Sequence, residues 1–407
     1  MAPEFHVDMG PQYEGETIRK EDLYVEFGGP KVKSKFELVT LKSPEEVEHE
    51  RVEIIGPDIK DMEEGGSYPL AILIDVAGEE LEKDMEPVIE RRIHMYTNYI
   101  EGWYHMNQRQ DIWIRMNKAA AKKGFDSLHE LGEIYNFLFT SELPVIEKIA
   151  VTFITDEKKV EELLPNALKI YEARDERLRG LKDDDVDTFY GCVLCQSFAP
   201  THICFITPDR VANCGAINWF DGRAAYKLDP EGPVFAVPKG ELVDPVKGEY
   251  SGINEVAKER SLGSFDQVYL YSAFEHPHTS CGCFQSICFY IPEVDAFGIV
   301  HRDFAGDTVA GVPFSKMAGT TSGGRQVEGS CGMALEILRS SKFFQADGGI
   351  RRVVWLPKEI KERYKDAIPE DLYDKIATEE DVSNTEELVE FLEKVGHPWI
   401  KGEVELP

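Results

Sequence analysis

Eight cysteines stand in this chain of 407 residues, and all of them (Cys192, Cys195, Cys204, Cys214, Cys281, Cys283, Cys288 and Cys331) fall in one stretch. The 191 residues before Cys192 and the 76 after Cys331 contain none. A small disulfide-stapled domain spreads its cysteines through its length. This chain is long enough for two or three domains of roughly 100–200 residues, each able to bury a core without staples. In a reducing compartment such thiols stay reduced or become metal ligands. One region therefore owns the thiols, and any metal is there for chemistry more than for folding.

Charge narrows the partners. With 45 Lys+Arg against 75 Asp+Glu the formal net charge is −30, which disfavours non-specific binding to nucleic acid or an anionic bilayer. The opening MAPEFHVDMGPQYEG has neither a basic nor an apolar export region, and no window approaches 18 uncharged apolar residues. The expectation is a cytoplasmic protein with neither nucleic-acid nor membrane partners.

Periodicity places elements on both sides of an acidic run at 181–191. Before it, strands are expected at 35–41, 51–57, 68–78 and 148–156, and helices at 127–143 and 160–178. The segment 85–123 reads as helical, aromatic and locally basic. After the run, strands are expected at 265–275, 287–292 and 351–357, and helices at 331–344, 357–368 and 384–395, the last capped by Asn384. The glycine-rich 319–332 reads as a turn or an anion nest, without the Lys-Ser/Thr ending of a P-loop. The fold class is α/β, multidomain and mixed α+β: an N-terminal domain 1–181 and a C-terminal metal-cluster domain 182–407.

Two motifs carry the chemistry. Cys192, Cys195, Cys204 and Cys214 supply four sulfurs within 23 residues, enough for tetrahedral coordination of zinc or for an iron–sulfur cluster, or for thiols that bind nothing. Spacing alone does not choose. Cys281-Gly282-Cys283 is narrower, with two sulfurs flanking one glycine. It is either a structural pair at a strand end or a planar site in which both sulfurs and the intervening peptide nitrogens hold one ion, the geometry of Ni(II) or Cu(II). Cys288 and Cys331 have no partner at diagnostic spacing and read as core thiols.

The segments GCVLCQSFAPTHICFITPDRVANCGAINWFDGRAA at 191–225, HPHTSCGCFQSICF at 276–289 and GRQVEGSCGM at 324–333 resemble the acetyl-CoA synthase and acetyl-CoA decarbonylase/synthase complex beta subunit family of the CO dehydrogenase/acetyl-CoA synthase system. The likeness runs from about residue 30 onward and is to the shorter archaeal-type form, without the extra N-terminal domain of bacterial members. It implies one 4Fe–4S cluster on Cys192, Cys195, Cys204 and Cys214. It also implies two nickel ions: a proximal one on Cys195, Cys281 and Cys283, and a distal one on Cys281, Gly282 and Cys283. The catalytic set it implies is Cys195, Cys281, Cys283 and Phe198, the last an aromatic beside the cluster.

The activity implied is reversible synthesis or cleavage of acetyl-CoA from CO, CoA and a methyl group donated by a methylated corrinoid iron–sulfur protein, in company with CO dehydrogenase subunits. CoA phosphates need local positive charge in an acidic chain. The best group is Arg109, Arg115, Lys118, Lys122 and Lys123, with Trp103 and Trp113 for adenine stacking and Arg325 as a second site. An iron–sulfur electron-transfer subunit and a zinc-stabilised interaction protein are the alternative readings.

Overall fold

The computed structural model describes residues 18–196 and 199–407. The chain divides into two compact units, the first ending at Arg177 and the second covering Leu178–Pro407.

In the first unit, the apolar strand Leu70–Ala77 lies between Lys35–Leu41, parallel to it, and Lys148–Ile154, antiparallel to it, with Arg51–Ile55 added parallel to the latter. Helix Leu128–Glu142 packs on this sheet so closely that a Cβ on Gly132 would come 2.5 Å from Val52 Cγ1. Helix Glu157–Glu176 closes a core of Phe36, Leu38, Ala71, Ile154, Val160, Ala167 and Tyr171. A second sheet runs in the order Gly66–Tyr68, Leu23–Gly28, Trp113–Asn117, Trp103–Met106.

The expected helical segment 85–123 is only partly helical. Helix Glu86–Asn98 is followed by the strands Trp103–Met106 and Trp113–Asn117 and the short helix Lys118–Lys122. The helix stops at Asn98 with Tyr99 as its C-cap, and Gly102, at φ +88°, turns the chain into the strand Trp103–Met106. Beyond it, Trp113–Asn117 alternates half-buried and buried residues, the period of a strand whose two faces differ.

In the second unit, the sheet that bears thiols has Thr188–Cys192 at its centre, antiparallel to Cys204–Ile206 on one side and Val234–Pro238 on the other. A separate sheet orders Ser330–Met333, Ser286–Ile291, Ala296–His301 and Val353–Trp355. Helix Thr385–Val395 begins as expected, with the Asn384 side chain accepting from the Glu387 amide at 2.9 Å.

Two expectations fail here. Residues 331–344 form no α-helix: Cys331 belongs to the strand Ser330–Met333, and only Leu335–Arg339 turns, as a 3-10 helix. Pairing with Ser286–Ile291 satisfies a backbone whose local pattern is helical. Nor is 265–275 a strand. The amides of Leu270 and Tyr271 donate to Gly248 and Lys247, and that of Tyr269 donates to His276. Within the acidic run at 181–191, Asp183 is fully buried, exchanging backbone-to-carboxylate hydrogen bonds with Asp209 and accepting from Tyr271 Oη at 2.5 Å. Among the described residues, no helix is long and apolar enough to cross a membrane.

Candidate metal centre

Antiparallel register sets Cys192 directly opposite Cys204 on neighbouring strands. Cys195 lies in the turn that leaves the first of these, where its carbonyl accepts from the Ala199 amide at 3.0 Å. Cys214 sits in a loop closed by hydrogen bonds from Ala212 N to Ile217 O and from Gly215 N to Ala212 O. Its neighbour Asn213 turns its amide to Cys204 Sγ at 3.2 Å. Burial pushes the Cys204 thiol well above the ordinary range, and the nearby sulfurs of Cys192, Cys214 and Cys281 add to that push.

The second motif is bolted to the first by hydrogen bonds at either end of the 278–285 segment. His278 Nε2 accepts from the Phe205 amide at 2.9 Å, and Nδ1 donates to Thr279 O at 2.7 Å. Asn213 Nδ2 also donates to Thr279 O, at 3.1 Å, while Asn213 O accepts from Gln285 N at 2.9 Å. With the flanks of Cys281 and Cys283 so held, Cys195, Ala199, Cys281 and Cys283 form one buried cluster. The sulfurs of Cys195 and Cys283 lie within 4.8 Å of each other. Hydrogen bonds from Cys195 and Cys283, first in effect, hold the Cys281 thiol well below its ordinary range, while the same contacts push Cys195 up. All six thiols are buried and none is in a disulfide.

The backbone of the Cys-Gly-Cys tripeptide is also engaged. Cys283 N donates to Cys281 Sγ at 3.2 Å. The Gly323 amide donates to Cys281 O at 3.1 Å and that of Gly324 to Ser280 O at 2.9 Å. The glycine-rich segment is thus a wall of the site. Gly324 takes φ +73°, and a Cβ there would stand 2.6 Å from Thr201 Oγ1 and 2.7 Å from His202 N. Arg302, which follows the strand Ala296–His301, donates through Nη2 to Gly282 O and through Nε and Nη2 to Phe284 O at 3.2 and 3.0 Å. Sequence reasoning missed Asn213, His278, Arg302 and the glycine pair. Asn213 and His278 stand near cysteines in the chain, but nothing in their spacing marks them as the join between the two motifs, and Arg302 and the glycine pair reach the site only through contacts distant in sequence.

The remaining expected residues are scattered. Phe198 lies outside the described residues. Cys288 and Cys331 face each other across paired strands inside an apolar core. Trp103 is fully buried with its ring on Phe125, centroids 5.0 Å apart, so it presents no face to an adenine. Arg109 is buried in an ion pair with Asp175 at 2.8 Å. Trp113 and Arg115 share Glu26, each donating at 3.0 Å, with the Arg115 guanidinium 4.3 Å from the Trp113 ring centre. Burial raises the Glu26 pKa, but hydrogen bonds from Ser67, Trp113 and Arg115 outweigh it and the net shift is downward. Lys118 pairs with Glu64 and Lys123 with Glu101, both at 2.8 Å. Lys122 is exposed at the end of its short helix. Arg325 is exposed, its nearest acceptor Thr320 O at 3.5 Å.

A mixed α+β scaffold that gathers this many reduced, buried sulfurs around one short tripeptide defines the class of thiolate metal-site proteins. Two family models match: that of the CO dehydrogenase/acetyl-CoA synthase complex beta subunit over residues 5–160, and that of the C-terminal part of the ACS/CODH beta subunit over residues 171–404. The chain belongs to the CO dehydrogenase/acetyl-CoA synthase complex beta subunit family, in its archaeal form.

It is similar to the acetyl-CoA decarbonylase/synthase complex subunit beta of Methanopyrus kandleri, 56% identical over 396 residues, covering 97% of this chain and 84% of the relative. The Archaeoglobus fulgidus protein of the same name is 56% identical over 402 residues, covering 98% and 76%. That of Methanothermobacter thermautotrophicus is 54% identical over 401 residues, covering 98% and 86%. Among solved structures, the C-terminal domain of an acetyl-coenzyme A synthase alpha subunit matches at 38% identity with a TM-score of 0.28, over 30% of this chain and 96% of that one.

Proposed function

We propose that this chain catalyses reversible synthesis and cleavage of acetyl-CoA from CO, CoA and a methyl group brought by a methylated corrinoid iron–sulfur protein. Family membership supports a part in an enzyme complex of acetyl-CoA metabolism. The observation that carries the catalytic reading is the contact of Cys195, from the four-cysteine motif, with Cys281 and Cys283, from the tripeptide. A zinc knot or a lone iron–sulfur cluster needs only the first motif.

The donor chemistry fits a cluster and nickel. Cys192, Cys195, Cys204 and Cys214 would hold the 4Fe–4S cluster, Cys195, Cys281 and Cys283 the proximal nickel, and Cys281, Gly282 and Cys283 the distal one. The Cys283 nitrogen already faces Cys281 Sγ at 3.2 Å. When bound, the centre supplies the joining and cleavage of carbon–carbon and carbon–sulfur bonds.

The protein's share is to hold the sulfurs and exclude water. His278 and Asn213 keep the two motifs in register, while burial keeps bulk water from sulfurs that oxidise readily. For CoA, the half-buried Trp113, Arg115 and Lys118 and the exposed Arg325 are the proposed contacts. Partners would be the corrinoid protein and CO dehydrogenase subunits, in the cytoplasm.

Anaerobic purification followed by iron, sulfide, nickel and zinc quantification tests this reading. It expects about four iron and about two nickel per chain, with acetyl exchange. Zinc alone would favour a structural knot, and iron and sulfide without nickel an electron-transfer role. Nickel still absent after reconstitution would end the proposal.

A further inference from the structure

We propose that Arg302 is the positioning residue that presets the Gly282–Cys283 peptide for metal binding and balances the charge of the loaded site. The inference rests on the reading of Cys281-Gly282-Cys283 as a planar nickel site. In such a site the two peptide nitrogens in question belong to Gly282 and Cys283. The carbonyls of those same two peptide units are Cys281 O and Gly282 O, and each has a donor: the Gly323 amide on the first and Arg302 Nη2 on the second. A peptide is planar, so a hydrogen bond that fixes its oxygen also fixes the direction of its nitrogen. The Cys283 nitrogen is thereby held toward Cys281 Sγ.

Arg302 is built in, not draped over the surface. It is 3% exposed and its guanidinium lies 5.9 and 5.4 Å from the ring centres of Phe284 and Phe314. Its own amide donates to Gln285 O at 3.0 Å, and its fork also takes Phe284 O, so one planar cation grips the chain on both sides of Cys283. Two thiolates and two peptide nitrogens whose protons have gone to solvent carry four negative charges against the two positive charges of Ni(II). The buried site is left with a net −2. A cation in contact with one of its peptide oxygens offsets part of that charge where water cannot.

The test compares wild type, Arg302→Met and Arg302→Lys as full chains, purified anaerobically and stripped of nickel by a chelator. Ni(II) affinity by chelator competition, the visible absorption band of planar Ni(II), and thermal unfolding before nickel addition are measured. Loss of an outer hydrogen-bond partner weakens metal binding by about 10–100-fold. R302M is expected to show that loss and a diminished planar band in a chain that still folds but unfolds at a lower temperature, because Gly282 O and Phe284 O lose their buried donor, while R302K, which keeps the charge, recovers most of the affinity and the band. An R302M protein that binds nickel as wild type does, with the same band, overturns the role. If R302M does not fold, R302K decides: a retained planar band supports the role, and a folded R302K without nickel overturns it. Wild type that takes up no nickel overturns the metal-centre reading and this role together, whereas loaded wild type beside equally loaded R302M overturns the role alone.

Discussion

The Phe205 amide donates to His278 Nε2 at 2.9 Å, tying the strand that carries Cys204 to the segment that leads into Cys281. The other ring nitrogen donates to Thr279 O, so a single neutral tautomer serves both bonds. Burial first, and then the charge of Arg210, hold the His278 pKa well below the ordinary histidine range, which keeps Nε2 free to accept.

Removing that ring should loosen the join between the two cysteine motifs. His278→Ala leaves the buried Phe205 N–H unpaired, a cost of about 1–3 kcal/mol. The expected outcome is a lower urea midpoint together with reduced iron and nickel content after anaerobic reconstitution. An unchanged midpoint with full metal content would contradict the coupling.

Cys283 lies outside the four-cysteine motif but touches Cys195. Cys283→Ser should therefore lose nickel and acetyl exchange while keeping most of its iron. Iron content and the cluster's visible absorption, set against nickel by elemental analysis, separate the two. A variant with wild-type exchange rate would refute the bridging role.

His397 sets a pH dependence of folding. Its ring is buried with Nε2 donating to Val353 O at 3.2 Å, and burial lowers its pKa from 6.5 to about 4 despite that bond. The neutral form is the folded form. The stabilisation is fully present above pH 6.5 and is lost as the pH falls through about 4, amounting to about 3 kcal/mol. Denaturation midpoints at pH 7 and pH 4.5 should differ less for His397→Gln than for wild type, and equal differences would show that another group governs the slope.

Arg115 is half-buried, stacked on Trp113 and paired with Glu26. If its remaining donors meet a CoA phosphate, Arg115→Ala should raise the CoA concentration for half-maximal acetyl exchange by about tenfold, the worth of one charge-assisted hydrogen bond. Metal content should not change. An unaltered CoA dependence would remove Arg115 from the binding surface.

Where local pattern and tertiary pairing agree, the elements stand where periodicity puts them. The strands Lys35–Leu41 and Lys148–Ile154 and the helices Leu128–Glu142 and Thr385–Val395 are of this kind. Where they conflict, pairing wins. Cys331 sits in a sequence with helical period, yet its backbone completes the ladder of Ser286–Ile291, because an unpaired buried strand edge costs more than a lost helical turn. Arg109 and Trp103 carry a binding residue's chemistry, yet one is neutralised by Asp175 and the other is packed inside. Sequence shows what a side chain can do, and burial determines whether it can meet a ligand.

By itself the sequence determined which donors this protein possesses, since side-chain chemistry and near-neighbour spacing are local properties. Four sulfurs in a short stretch and two more around one glycine follow from reading the chain. Only the tertiary structure decided that Cys195 meets Cys281 and Cys283, that Cys288 and Cys331 pack away from them, and that Arg302 holds Gly282 O. These are contacts between residues distant along the chain, created by strand register and stabilised by the burial of the surrounding core, and no local pattern of residues encodes them.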